Sequence, residues 1–117
     1  MTVKEIADIL GAEILCCGEL ADQTQVHSAC GSDMMSDVLA FVKDQGVLLT
    51  GLVNPQVVRT AEMMDIVCLV FVRGKEPTET MIQLAEERSL VLMSTEKGMF
   101  TSCGILYTAG MKSGDEA

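Results

Sequence analysis

The stretch Val47-Leu48-Leu49-Thr50-Gly51-Leu52-Val53-Asn54-Pro55 decides the fold. Its first four residues are apolar or β-branched on both faces, as expected of a strand covered by helices on each side. Asn54 then supplies a helix N-cap and Pro55 the first helical residue. The stretch therefore predicts a strand that is followed, through a short loop, by a helix.

The same succession of strand, short loop and helix occurs three more times in the chain. The other loops are Cys30-Gly31-Ser32-Asp33, Arg73-Gly74-Lys75-Glu76-Pro77 and Ser94-Thr95-Glu96. If the preceding strands are parallel, all four loops meet at one edge of the sheet, where open α/β sheets bind ligands. We predict an α/β fold, a three-layer α/β/α sandwich with a mostly parallel sheet of about five strands.

Capping signals and periodicity locate the other elements. Thr2 and Glu5 form a capping box, and Gly11 ends the helix that follows. Ser32 is the expected N-cap of a second helix, and Pro77 is expected to open a later one. Strands are predicted over 12–17, 25–30, 47–50, 66–72 and 90–93, a C-terminal helix over 97–107, and a second-helix stripe of Met35, Val38, Leu39 and Val42. Residues 1–111 are expected to form one domain and residues 112–117 a flexible tail.

Composition narrows the possible functions. Hydrophobic residues make up 49% and charged residues 21% of the 117 residues, which excludes a disordered chain. The net charge of −9 disfavours nucleic acid and anionic membranes as partners. The longest apolar run, Ile66–Val72, is far too short to cross a bilayer. The N-terminus has no apolar signal core, so we expect a cytoplasmic protein.

Thiols, the single imidazole and paired acids offer little chemistry. None of the five cysteines forms a Cys-x-x-Cys pair, and the adjacent Cys16 and Cys17 point to opposite faces of a strand. His27 has no second imidazole to complete a metal site, and it alone would have to serve every nucleophile. Asp33 and Asp37 suit the first turn of a helix without any metal. We predict no catalytic residue, no metal, no cofactor and no enzyme activity.

The predicted loop edge is the best candidate for a ligand site. Free amides at helix N-termini, together with basic and hydroxyl side chains, suit a small anion such as a phosphate or a carboxylate. Neither common phosphate-binding glycine motif occurs, so capping and turn formation are the alternative roles of the same residues. The candidate ligand-binding residues are Gly31, Ser32, Asp33, Thr50, Gly51, Asn54, Arg59, Arg73, Gly74, Lys75 and Thr95.

Nine methionines accompany one tyrosine and no tryptophan. Most of these methionines fall on helical stripes that face the core. Adjacent helix residues diverge by about a hundred degrees, so one member of Met34-Met35 and one of Met63-Met64 should reach the edge of its stripe. The resulting apolar patch would suit a homodimer.

Three stretches resemble a known family. The opening Val3–Leu15, the strand Val47–Thr50 and the segment Val70–Pro77 are similar to the DRTGG domain family, although the five letters of its name are not spelled out here. The resemblance implies a fold shared with the N-terminal domain of HPr kinase/phosphorylase, in a small stand-alone version. Related domains are accessory modules in phosphotransacetylase-like proteins and CBS-containing pyrophosphatases, and some stand-alone versions occur near iron-hydrogenase genes. The family has no assigned catalytic activity and a regulatory or dimerising role is attributed to it.

Three functions follow as hypotheses. The first is a non-enzymatic regulatory or interaction module whose partner is a second copy of the same chain, in a homodimer. The second is a sensor that binds a small anionic metabolite or a nucleotide at the loop edge. The third is an accessory or thiol-redox protein of a hydrogenase system.

Overall fold

All four predicted strand-to-helix units form, and one more helix and one more strand precede them. The computed structural model describes residues 1–41 and 45–113. In chain order the elements are α1 (Val3–Leu10), β1 (Glu13–Cys16), β2 (Ser28–Gly31), α2 (Met35–Phe41), β3 (Gly46–Thr50), α3 (Pro55–Met63), β4 (Cys68–Phe71), α4 (Glu79–Glu87), β5 (Val91–Ser94) and α5 (Met99–Thr108). A single-turn 3-10 helix at Gly18–Leu20 lies between β1 and β2.

Local signals explain where the first helix begins and ends and where the third helix begins. The Thr2 hydroxyl accepts from the Glu5 amide at 3.1 Å, and the Glu5 carboxylate accepts from the Thr2 amide at 2.9 Å. Gly11 ends α1 with a φ of 61°, a conformation that glycine adopts without strain. The Asn54 side chain accepts from the Gln56 amide at 2.8 Å, at the start of α3. The predicted caps of both helices are confirmed.

The five strands form one sheet in the order β1-β5-β4-β3-β2. Strands β2, β3, β4 and β5 are parallel, and β1 pairs antiparallel with β5. The carboxyl ends of the four parallel strands therefore lie at one side of the sheet, which we call the carboxyl edge. The predicted α/β class and the mostly parallel sheet are confirmed.

Helices cover both faces of this sheet. One core cluster packs α1 and α5 against the sheet residues Val47, Leu49, Val70 and Met93. The other packs α2, α3 and α4 against the intervening residues Leu48, Leu69, Phe71 and Leu92. Alternate residues of the same strands thus fill two cores, which is why their runs are continuously apolar. The three-layer arrangement follows from this division.

Three predicted helices begin two residues later than predicted: α5 begins at Met99 and not at residue 97, and α2 and α4 show the same delay. α2 begins at Met35, and the Ser32 hydroxyl instead accepts from the Met34 amide at 3.0 Å in the preceding loop. α4 begins at Glu79 with Thr78 as its N-cap, so Pro77 lies before the helix and does not open it. At the starts of α2 and α4, residues of the types that usually begin a helix lie instead in the loop between the strand and the helix.

The predicted stripe of α2 is only partly buried. Val38 is fully buried and Met35 half-buried, but Leu39 is 46% exposed, which corrects its assignment to the core. Val42 lies outside the described residues. Met34 is 60% and Met63 69% exposed, and Met35 and Met64 are half-buried. Met34 precedes α2 and Met64 follows α3, however, so neither pair lies within one helix as predicted.

The C-terminal segment covers the outer edge of β2. The Ala29 amide donates to the Lys112 carbonyl at 2.9 Å, and the Lys112 ammonium lies 4.0 Å from the centre of the Tyr107 ring. Residues 114–117 of the predicted tail lie outside the described residues, so the tail stays a prediction. None of the described helices combines the length and the apolar character needed to span a bilayer.

Candidate functional site

The turn after β4 places Arg73 at the carboxyl edge. Arg73 and Gly74 both have a positive φ, 59° and 69°, and the Lys75 amide donates back to the Val72 carbonyl at 3.1 Å. Two positive φ values are typical of a type I′ turn, and they are strained for a residue with a side chain. The Arg73 amide donates to Lys97 and the Gly74 amide to Thr95, each to a carbonyl at 2.8 Å. These two bonds fix the turn to the loop after β5.

Three donors from two neighbouring strand ends meet beside this turn. They are the hydroxyl of Thr50, the amide of Gly51 and the guanidinium of Arg73, which we call the donor cluster. The Asp33 carboxylate accepts from all three: one oxygen from Gly51 at 2.6 Å and from Thr50 at 3.1 Å, the other from Arg73 at 3.5 Å. The loops after β2, β3 and β4 are thus joined at a single carboxylate.

The absence of a side chain at Gly51 makes this arrangement possible. A Cβ built on Gly51 would collide with a guanidinium nitrogen of Arg73 and lie 3.0 Å from its central carbon. The guanidinium therefore lies directly against the backbone that supplies the amide donor. Gly74 is constrained in a similar way, because a Cβ there would lie 2.7 Å from a carboxylate oxygen of Glu96.

The donor cluster stabilises a negative charge. The Gly51 amide, with smaller contributions from Thr50 and Arg73, holds the pKa of the Asp33 carboxyl below its ordinary value, although partial burial opposes the shift. The Asp33 and Arg73 side chains are 48% and 47% exposed, so solvent screens their direct attraction. Hydrogen bonding to the charged form is the dominant cause.

The other predicted site residues have separate roles. Thr95 is buried and its hydroxyl donates to the Leu10 carbonyl at 2.8 Å, which fixes the end of α1 to the carboxyl edge. The side chains of Asn54 and Ser32 each accept a hydrogen bond from the backbone amide two residues further along the chain. The Lys75 carbonyl accepts from Ser94 at 2.6 Å, and Arg59 is exposed in the second turn of α3. Gly31 allows α5 to pack closely on β2, since a Cβ would lie 2.6 Å from the Cys103 sulfur.

Sequence reasoning missed two residues of the carboxyl edge. Lys97 accepts from the Arg73 amide through its carbonyl and donates its ammonium to the Leu10 carbonyl at 3.0 Å. Glu96 lies against Gly74. Their one signal was position, because Glu96 ends the predicted loop Ser94-Thr95-Glu96 and Lys97 directly follows it.

Metal and thiol chemistry receive no support from the described residues. Within residues 1–41 and 45–113, no group of three or more His, Cys, Asp or Glu side chains is placed to hold a metal ion. Burial raises the pKa of every cysteine thiol, that of Cys16 to about 12. A raised pKa keeps a thiol protonated and therefore a weak nucleophile.

A second surface with unusual properties is the outward side of α5. The segment from Gly98 to Met111 contains no charged residue. Phe100 is 91% and Tyr107 54% exposed. With Thr101, Gly104 and Thr108 they form what we call the α5 surface, beside a shallow groove that Ile9 and Ile105 line between α1 and α5.

Comparison with known proteins places the chain in a family. The model of the DRTGG domain matches residues 5–109. A solved structure with a similar fold contains the CBS and DRTGG domains of the regulatory region of a Clostridium perfringens pyrophosphatase, complexed with the activator diadenosine tetraphosphate. The TM-score is 0.68 at 15% identity, over 90% of this chain and 45% of that chain. A comparison with curated protein sequences gives no match. The chain belongs to the DRTGG domain family.

Proposed function

We propose that this chain is a non-catalytic regulatory and interaction module of the cytoplasm that forms a homodimer through its α5 surface. Its family and the regulatory region in which a DRTGG domain of similar fold occurs support the regulatory part. The observation that carries the dimer is the exposure of Phe100, 91% on a helix without charge.

An apolar helix with one open side fits a symmetric contact. A helix that is apolar all round is normally buried all round, whereas α5 packs on the sheet with only one side. A two-fold axis brings the same helix of a second copy onto the open side. Gly104, one turn after Phe100, leaves room for a large side chain from the other copy.

Charge restricts the surfaces through which a second copy of this chain can bind, and the α5 surface meets that restriction. Two molecules that each carry a net charge of −9 repel each other over most orientations. An uncharged helix lets them approach where no acidic side chains of α5 oppose each other. Burying a phenylalanine on each side would supply about 2 kcal/mol or more per ring.

Sedimentation of the chain and two matched variants tests the dimer. Phe100→Ser removes the ring from the α5 surface, and Met63→Ser removes a comparably exposed apolar side chain from α3, on the opposite layer. We expect the wild type and Met63→Ser to sediment as dimers and Phe100→Ser as a monomer with an unchanged circular dichroism spectrum. A wild type that is strictly monomeric at high concentration would contradict the proposal.

A second candidate function is binding of a small anion or a nucleotide at the carboxyl edge. The convergence of an amide, a hydroxyl and a guanidinium on one carboxylate favours it. A thermal-shift panel of nucleotides, acyl phosphates and phosphorylated metabolites tests it, because a ligand that binds the native state raises the melting temperature. The Arg73→Gln variant is the control that should lose the shift, and a panel without any shift in the wild type would count against this function.

A thiol-redox role in a hydrogenase system is less well supported. Every thiol is at least partly buried, and burial raises each pKa. A redox function would need an accessible thiolate, which this environment disfavours.

A further inference from the structure

We infer that Asp33 is the resident occupant of an oxyanion site, and that a dianionic phosphoryl group binds the donor cluster by displacing the Asp33 carboxylate. This inference rests on the second candidate function and adds the ligand class and a built-in competitor. Its basis is that one carboxylate already takes the three hydrogen bonds that an external anion would take.

The donors are held in place independently of Asp33. Thr50 is fully buried at the end of β3, and the Gly51 amide directly follows it. The Arg73 turn is fixed by two backbone bonds to the loop after β5. The Thr50 and Gly51 donors should therefore keep their geometry when the carboxylate leaves, and the fixed backbone of the turn keeps the Arg73 guanidinium within reach of them.

Asp33, in contrast, lies outside regular structure. It follows β2 by two residues and precedes α2 by two, in a loop where its own side chain is 48% exposed. Rotation of this side chain into solvent breaks no strand or helix hydrogen bond. The occupant is thus easier to move than the Thr50 and Gly51 donors.

Competition with a tethered carboxylate determines the ligand class. A carboxylate on the same chain has an effective concentration in the millimolar range or above, so a free monocarboxylate with the same bonds cannot displace it at low concentration. A dianionic phosphoryl group offers more oxygens and a stronger attraction to the Arg73 guanidinium. The single guanidinium of the donor cluster suits one phosphoryl group better than a long polyphosphate.

Removal of the occupant should open the site. The experiment follows the Gly51 amide by ¹⁵N NMR while inorganic phosphate or formate is added to the wild type, Asp33→Ala and Asp37→Ala. The Asp37→Ala control removes an acidic side chain from α2 and leaves the donor cluster complete. We expect Asp33→Ala to bind phosphate roughly tenfold or more tightly than the wild type and the control do. In those two proteins phosphate can bind only the fraction of molecules in which the Asp33 carboxylate has left the donor cluster, and the apparent affinity falls in proportion to that fraction.

Addition of formate shows whether tighter phosphate binding by Asp33→Ala comes from a vacated oxyanion site or only from the loss of one repelling negative charge. Formate replaces the missing carboxylate group, so it should shift the Gly51 amide of Asp33→Ala and leave that of the wild type unchanged. Adding Arg73→Gln to Asp33→Ala should abolish both responses. Asp33→Asn, which keeps the size of the side chain and carries minimal risk of misfolding, should bind phosphate with an affinity between those of the wild type and Asp33→Ala, because its amide oxygen can still accept from Gly51 and Thr50.

The outcomes distinguish this inference from the function on which it rests. Equal phosphate affinity of wild type and Asp33→Ala at Gly51 would overturn the role of Asp33 and leave an anion site in place. No response of Asp33→Ala at Gly51 would also overturn the inference, and a positive thermal-shift panel would then mean that the ligand binds away from the donor cluster.

Discussion

Gly51 determines where the Arg73 guanidinium can lie. Any Cβ at position 51 must push the guanidinium away, and because that group is the end of a flexible, half-exposed side chain, the movement costs little. Replacing glycine where φ is not positive gains about 0.4–1 kcal/mol, which offsets the loss of an exposed ion pair. We therefore expect Gly51→Ala to leave the free energy of unfolding almost unchanged.

The same Gly51→Ala substitution should strongly weaken anion binding. The new methyl group separates the Arg73 guanidinium from the amide of residue 51. A phosphate could then contact the guanidinium or the amide, but not both at once. Urea unfolding measures the stability and ¹⁵N NMR the binding. Gly98→Ala is the control, since a Cβ there meets nothing within 4 Å and the Asp33 contacts remain. Unchanged phosphate binding by Gly51→Ala would contradict the arrangement of the donors.

Asp33 also makes stability depend on pH. Folding lowers the pKa of the Asp33 carboxyl below its ordinary value of 3.8. As the pH falls, the unfolded chain therefore binds a proton at Asp33 before the folded chain does. The stabilisation by Asp33 is complete above the ordinary pKa and is lost as the pH falls through the lowered folded value. We expect Asp33→Asn to be less stable than the wild type at neutral pH, by a difference that narrows below about pH 4.

Urea midpoints of both proteins across the acid range measure this difference. Asp37→Asn controls for the loss of one acidic charge from the same region of a chain with net charge −9. A difference between wild type and Asp33→Asn that stays constant down to the acid limit would mean that the hydrogen bonds to Asp33 do not favour its charged form.

At the scale of elements, the packing of α5 on the sheet depends on Gly31. This last residue of β2 faces Cys103 and Met99, and a Cβ there would lie 2.6 and 3.1 Å from their sulfur atoms. Overpacking of this kind costs about 1–3 kcal/mol because the Cys103 and Met99 side chains must leave their packed positions or helix and strand must separate. We expect Gly31→Ala to lower the free energy of unfolding by that amount.

A double-mutant cycle identifies the cause of this loss. Cys103→Ala removes the sulfur that the new methyl group would meet, so the double variant should lose less stability than the sum of the single variants. An interaction energy of about 1 kcal/mol is expected for residues in contact. Additive losses would mean that Gly31→Ala acts through the strand backbone and not through α5.

The elements were predictable where the signal is local. The Thr2 capping box, Asn54 with Pro55, and the uninterrupted apolar runs of β3 and β4 depend on neighbours in sequence. The starts of α2 and α4 were misjudged, because Ser32 and Pro77 resemble helix starts yet lie in loops that first leave the sheet.

The candidate site was predictable as a place but not as an arrangement. Parallel strands bring Asp33, Gly51 and Arg73 to one edge, and that much follows from the order of strands and loops. That Asp33 accepts from the loops after two other strands depends on contacts 18 and 40 residues apart in sequence. The positive φ of Arg73 has no local signal either, because arginine rarely adopts it.

At the scale of the whole molecule, net charge opposes the proposed dimer while α5 favours it. The chain measures 36 × 29 × 26 Å. At about 10 mM salt electrostatic interactions extend over about 30 Å, so acidic side chains on all sides of one copy repel those of the other copy. At about 150 mM salt the range falls to about 8 Å, shorter than the molecule is thick.

Salt should therefore strengthen self-association. We expect the dissociation constant of the dimer to fall several-fold between about 10 and about 150 mM salt, and to change little above that, because α5 itself has no charged side chain that could form an ion pair across the interface. Sedimentation equilibrium at both salt concentrations measures it, with Phe100→Ser monomeric throughout. A dimer that dissociates when salt is added would indicate an interface built on charged side chains and would place it away from the α5 surface.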